Sequence, residues 1–212
     1  SRMAMLAIFI YIFFRSKRYT PYAQGFMHGK VTGREQKELF GIGMPVALQM
    51  GMETASFSLA TIMVGWLGTN ALAAHQIMCT VGQLGFMMYY GMAAAVAVKV
   101  SNYNGAGDYP NIRSSADAGF HLILVMAVVA SALIYILRYS IGGIFTDSSE
   151  VSLLVAQLTV PFMLYQFGDG LQCNFSNALR GIADVKPVIL YAFIAYFVIS
   201  LPAGNIFGFV IR

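Results

Sequence analysis

Residues 39–98 read LFGIGMPVALQMGMETASFSLATIMVGWLGTNALAAHQIMCTVGQLGFMMYYGMAAAVAV, and across that span the only formal charge is the carboxylate of Glu53. The run is long enough to cross a bilayer twice, with a break at Leu67-Gly68-Thr69-Asn70. A carboxylate without a partner is so costly in lipid that its presence marks a proton, cation or cationic-substrate site by default. A second such acid, Asp169, lies in another apolar run further along the chain.

Composition agrees with a membrane reading. Of the 212 residues 58% are hydrophobic and 10% are charged, well under half the charge of an ordinary soluble domain. A globule of this size could not hide so much apolar surface, because even a larger one leaves about a quarter of its unfolded surface exposed. The formal charge of +4 does not point to nucleic acid, since the basic residues sit beside apolar segments and form no aromatic-interleaved tract. Cys79 and Cys173 both fall inside apolar runs and read as small core residues rather than a disulfide.

Six apolar segments follow one another: 3–14, 41–67, 71–98, 118–137, 150–178 and 188–211. The last five can each cover the hydrocarbon core as helices. The first would reach only about 18 Å, and with the basic cluster on its C-terminal side it reads as the end of a helix rather than a signal peptide. Lys and Arg set the orientation. Arg15, Lys17, Arg18, Lys30, Arg34 and Lys37, then Lys99 and Arg113, then Arg180 and Lys186 occupy alternate connections, which places those on the cytoplasmic side. The chain divides accordingly into 1–14, the end of a transmembrane helix; 15–38, a cytoplasmic linker; and 39–212, five transmembrane helices.

Local signals mark the helix ends. Asp147 is placed to cap a helix starting near Ser148, with Glu150 in the reciprocal position, and Gly142-Gly143 is a break in the segment before it. Asn104-Gly105-Ala106-Gly107 with Tyr109-Pro110 reads as a flexible connection. Pro45 and Pro161 each precede an acid by eight residues, so Glu53 and Asp169 both follow a helix discontinuity by about two turns. Proline frees a carbonyl, which lipid tolerates only where protein or water supplies a partner, and this suits helices that face a cavity.

Residues one turn from the acids define candidate walls. Gln49, Met50, Ser56 and Phe57 surround Glu53; Tyr165, Gln166, Gln172 and Cys173 surround Asp169, with Asn174 and Asn177 as further lining groups. Such walls could hold a flat organic cation while leaving the carboxylates to a proton or metal ion, which makes Glu53 and Asp169 a candidate sodium site. Burial favours a neutral carboxyl and a nearby cation favours the charged form, so one site can use both states in turn. His75 reads as a neutral histidine hydrogen-bonded near a helix end or as a proton-sensing group, the former being the commoner use. Trp66 reads as an interfacial anchor.

No catalytic motif competes: the sequence has no Walker loop, no HExxH and no CxxC pair, and its serines lack a His and an acid nearby in sequence. Gly43-Met44-Pro45 followed by Glu53, the string Leu67-Gly68-Thr69-Asn70-Ala71-Leu72-Ala73-Ala74-His75-Gln76-Ile77, and Tyr165-Gln166-Phe167-Gly168-Asp169 leading to Ala178-Leu179-Arg180-Gly181-Ile182-Ala183-Asp184 resemble the carboxy-terminal half of a MATE multidrug and toxin extrusion transporter, NorM-like branch. The resemblance implies an all-α, polytopic membrane helix bundle, part of a twelve-helix fold in two lobes. It also implies a multi-pass protein of the bacterial inner membrane that exports organic cations and drugs by antiport with sodium ions or protons, with no cofactor.

By the same likeness Glu53 is the seventh-helix acid and Asp169 the tenth-helix acid of the carboxy-lobe cation site. Segment 3–14 is then the end of helix six, and the partners outside the chain are the amino-terminal lobe and the last helix of the same transporter. Two other classes remain open. A lipid-linked oligosaccharide flippase should carry basic cavity residues for its phosphorylated substrate, and a non-transporting membrane assembly subunit would keep the helix packing without needing the acids.

Overall fold

The computed structural model describes residues 2–29 and 32–210, and every regular element among them is helical. The chain forms two compact units, Ser1–Gly41 and Ile42–Arg212. In the first, α1 (Arg2–Arg15) has 14 residues, about 21 Å by the helical rise. A 3-10 turn, Lys17–Tyr19, leads to α2 (Thr20–His28). Aromatic edges hold these pieces together: Phe26 packs on Phe13 and Phe14 with ring centroids 6.3 and 6.2 Å apart. The stretch expected as a plain linker is therefore partly helical. Of its basic residues, Lys30 lies outside the described residues.

The long helices follow: α3 (Gly33–Gly65), α4 (Thr69–Ala106), α5 (Tyr109–Phe145) and α6 (Ser149–Gly181). The last stretch begins as α7 (Lys186–Phe193) and widens into π-helix over Ile194–Ser200; α8 (Leu201–Asn205) and a second π segment, Ile206–Val210, complete it. Among the described residues four helices are long and apolar enough to cross a membrane: Thr69–Ala106, Tyr109–Phe145, Ser149–Gly181 and Lys186–Phe209. The chain is a multi-pass membrane protein. The first of the five expected spans, within α3, has the length but not the apolarity of these four. Gln49, Glu53, Thr54, Ser56, Ser58 and Thr61 dilute it, and the hydroxyls of Thr54, Ser58 and Thr61 donate back to carbonyls of their own helix.

Helices α4, α5 and α6 form the tight centre of the second unit. At one end Ala74, Ile77, Met78, Ile141, Val151 and Val155 interlock; nearer the other, Tyr89, Ala93, Ile123, Ala127 and Cys173 do so. Hydrocarbon outside gives no hydrophobic drive between helices, so close backbone approach has to supply the packing energy. Gly119 supplies one such approach, since a Cβ there would collide with Val96 and Asn174 of the two neighbouring helices. The outward faces are strongly apolar, with Leu122, Val125, Val129, Ile136 and Ile144 all more than half exposed, as a lipid-facing surface requires.

Several expected boundaries move. Gly142-Gly143 does not break α5, which runs on to Phe145; Gly142 instead lets Ser152 of α6 lie against the backbone. The cap of α6 is Ser148, whose hydroxyl accepts from the amide of Val151, not Asp147. Asn104, Gly105 and Ala106 are still helical, and the reversal needs only Gly107, left-handed at φ +73°, and Asp108, which accepts from Asn111 N. Pro45 and Pro161 do lie inside helices, as their positions suggested.

Candidate functional site

Helix α3 enters beside α6 in the antiparallel sense, since Gln49 meets Arg180 at one level and Phe57 meets Tyr165 at another. Between α3, α4 and α6 the side chains stop short of filling the space and leave a cavity of about 620 Å³. Glu53 reaches its wall from α3 and Asp169 from α6, with Tyr165, Phe57, Phe86 and Met50 around them. The two acids lie far apart in sequence and share one wall because long side chains reach across between the stretches of α3 and α6 that follow their prolines.

The acids are not equally sheltered. Asp169 is 7% exposed and Glu53 about half-buried. Both carboxyls border the same cavity, and Arg180 reaches Gln49, one helical turn from Glu53. The Tyr165 ring stands edge-on to Phe57 at 6.4 Å and tilted against Phe162 at 5.8 Å, so aromatic faces and edges border the acidic patch. An anionic centre framed by π surfaces is chemically suited to a monovalent organic cation, through charge attraction and cation–π contact together.

Of the other residues picked out from the sequence, Tyr165 is on the cavity wall. Gln49 and Ser56 are buried at 3% and 5% exposure, and Gln49 accepts a hydrogen bond from Arg180 Nη2 at 3.0 Å. Gln172 turns to the last span and exchanges hydrogen bonds with the Tyr196 hydroxyl at 2.8 and 3.2 Å. Asn174 is fully buried and donates to the Ala116 carbonyl of α5, while Asn177 donates to the Cys173 carbonyl of its own helix. None of these five borders the cavity.

The wall also includes His75, which the sequence offers as a helix-end or proton-sensing histidine, and Cys79, which it offers as a small core residue. His75 sits with Nε2 3.3 Å from Thr61 Oγ1 and 3.5 Å from Cys79 Sγ, and all three border the cavity. The spacing of His75 and Cys79, one helical turn apart, was the available signal. Cys79 and Cys173 are both free thiols. Among the described residues no group of three or more His, Cys, Asp and Glu is placed to hold a metal ion. A hard cation at Glu53 and Asp169 would depend on their carboxylate oxygens and neighbouring hydroxyls such as Thr54, also on the wall. At the turn between α3 and α4 a second hollow, about 610 Å³, is bordered by Asn70 and Glu150, which are joined by a 2.8 Å hydrogen bond.

Comparison with known proteins places this architecture. The MatE family model matches residues 45–206. Multidrug resistance protein NorM of Photobacterium profundum is 31% identical over 170 residues, which is 80% of this chain and 37% of that protein. The probable multidrug resistance protein NorM of Xylella fastidiosa is 31% identical over 206 residues, 97% of this chain and 44% of its own length. That of Mannheimia succiniciproducens is 33% identical over 170 residues, 80% and 37% respectively. The chain thus spans about two fifths of the length of these relatives. A family match over most of the chain, on a bundle of membrane helices with no sheet among the described residues, establishes that the chain belongs to the MatE family.

Proposed function

We propose that this chain is the cation-handling part of a carrier that exports organic cations and drugs in exchange for sodium ions or protons. The observation that carries the reading is the placement of Glu53 and Asp169 on one cavity wall bordered by Tyr165, Phe57 and Phe86. The names of the relatives, multidrug resistance proteins, agree with it. In this account α3 crosses the bacterial inner membrane with the four more apolar helices, and its polar face turns to the cavity rather than to lipid. An amino-terminal lobe and one further helix of the same polypeptide complete the transport path.

The mechanism rests on charge. Two carboxylates in one poorly hydrated space repel each other and attract any cation that reaches them, each at several kcal/mol at short range in a medium of intermediate polarity. A proton or sodium ion on the pair removes that attraction and leaves an organic cation without its counter-charge. Loading of one species therefore expels the other, and a gradient of the small cation drives export of the large one. No covalent step is required, so the protein works as a carrier rather than an enzyme.

The flippase alternative is disfavoured by the wall itself, which presents two acids and no Lys or Arg among the described residues. A purely structural subunit gives no reason for an acid-lined cavity of this size. Reconstitution of the protein, with whatever segments flank this chain in its gene, into vesicles loaded with ethidium tests the reading. Efflux is expected when either a sodium or a proton gradient is imposed, and the effective gradient names the coupling ion. Efflux indifferent to both gradients would remove the antiport assignment.

A further inference from the structure

Arg180 lies in the last turn of α6, where a basic residue ordinarily serves the helix end and reaches outward to headgroups and water. Its side chain does the reverse. The guanidinium reaches inward to α3 and donates through Nη2 to Oε1 of Gln49, which is only 3% exposed, at 3.0 Å. Its Nε is buried with no hydrogen-bond partner among the described residues. Gln49 is one helical turn before Glu53 on the same face of α3. Side chains on a helix lean toward its N-terminus, so Glu53 leans toward the Gln49 level while Arg180 leans toward the same level from the antiparallel α6.

Arg180 is thus a cation held by a neutral amide, and that amide stands one helical turn from the acid Glu53. A guanidinium binds a carboxylate more strongly than an amide oxygen, because both partners are then charged. Gln49 therefore holds it in a position it would leave once Glu53 has no other counter-charge. Gln49 and Glu53 are four residues apart on α3, so the two arrangements differ by a shift of about one helical turn.

We propose that Arg180 is a tethered counter-charge that takes the place of the transported small cation at Glu53 and so drives that cation's release toward the Arg180 end of the site. The inference rests on the proposed function, since it presupposes a cation at Glu53. Gln49 is the resting partner in this scheme: it holds the guanidinium while Glu53 is occupied. Arg180 is a positioning residue that acts through Glu53.

Two substitutions then have opposite effects on the half-saturating concentration of whichever cation drives efflux. Arg180→Gln removes the competitor, so half-saturation falls by at least about tenfold, the lower end of what one unit charge supplies at short range, and maximal efflux falls because release slows. Gln49→Leu removes the resting partner, frees Arg180 for Glu53 and raises half-saturation. Arg180→Lys, which keeps the charge, restores a near-wild-type value. A merely structural arginine would lower the amount of folded protein in both variants without moving half-saturation in opposite directions. Vesicle efflux of ethidium at graded sodium or proton concentrations reads these values, with Glu53→Gln as control. If folded Arg180→Gln needs as much driving cation as wild type, or more, the counter-charge is refuted while the antiport reading stands. If wild-type efflux responds to neither cation, or Glu53→Gln leaves half-saturation unchanged, the site reading fails and the counter-charge falls with it.

Discussion

Gly142 and Gly143 are neighbours in α5 with opposite surroundings, and substituting each with alanine separates packing from helix propensity. A Cβ on Gly142 would stand 2.5 Å from Ser152 Cα and 2.7 Å from Ser152 Cβ, whereas one on Gly143 would meet nothing within 4 Å. Ordinary carbon contact begins near 3.4 Å, so Gly142→Ala has to push α6 away from α5 by about 0.9 Å at this crossing, against backbone atoms that cannot rotate aside. Overpacking of this kind costs about 1–3 kcal/mol. Alanine in a helix interior returns about 1 kcal/mol of propensity, which leaves Gly142→Ala destabilised by up to about 2 kcal/mol and Gly143→Ala stabilised by up to about 1 kcal/mol. Detergent-solubilised protein heated in steps and scored for its monodisperse fraction compares the two. Equal stability of both variants, or a Gly143→Ala loss matching that of Gly142→Ala, would refute the close α5–α6 approach and favour the helix break that the Gly-Gly pair suggests in sequence.

Three further outcomes follow from named contacts. Small charged thiol reagents should modify the half-buried Cys79, which borders the cavity, and spare Cys173, which is 8% exposed; an organic cation present in excess should slow the Cys79 reaction, as mass spectrometry of the labelled peptides will show. Gln172→Leu and Tyr196→Phe each remove the hydrogen bonds between α6 and the last span and should each cost about 1 kcal/mol, with the double variant costing less than the sum in a thermal-stability cycle. Asn70→Ala should leave maximal efflux within about twofold of wild type, because its bond to Glu150 lies at the α3–α4 turn and not on the cavity wall that holds the acids; a larger loss would draw the turn into the transport path.

How far the sequence could be read depends on which signal was at stake. Charge scarcity and segment length are properties of the chain itself, so the membrane helices and the isolation of Glu53 and Asp169 were legible before any coordinates. Which face of a helix meets which neighbour was not. In lipid the outward face of a helix is as apolar as its packed face, so the amphipathic phase that orients a soluble helix is nearly absent. That is why Asn174 and Asn177 could be picked as lining groups and yet turn to the backbone of α5 and of their own helix.

Glycine misled for a related reason: Gly142 marks a close crossing and Gly105 simply continues a helix, although the same residue ends helices elsewhere. Arg180 looked like one more positive charge at an inner helix end. Its reach to Gln49 depends on the antiparallel register of α3 and α6, which pairs residues from distant segments and has no local signature.

Ethidium efflux by reconstituted Glu53→Gln and Asp169→Asn proteins tests most directly the proposal that these two acids together form the cation site of an antiporter. Both substitutions keep size and hydrogen-bonding capacity while removing the charge. The account predicts that each variant, folded and inserted at wild-type levels, loses gradient-driven efflux by at least about tenfold, equivalent to about 1.4 kcal/mol of lost charge stabilisation at the site. Wild-type rates in both folded variants would contradict it and leave the acids a structural role between α3 and α6.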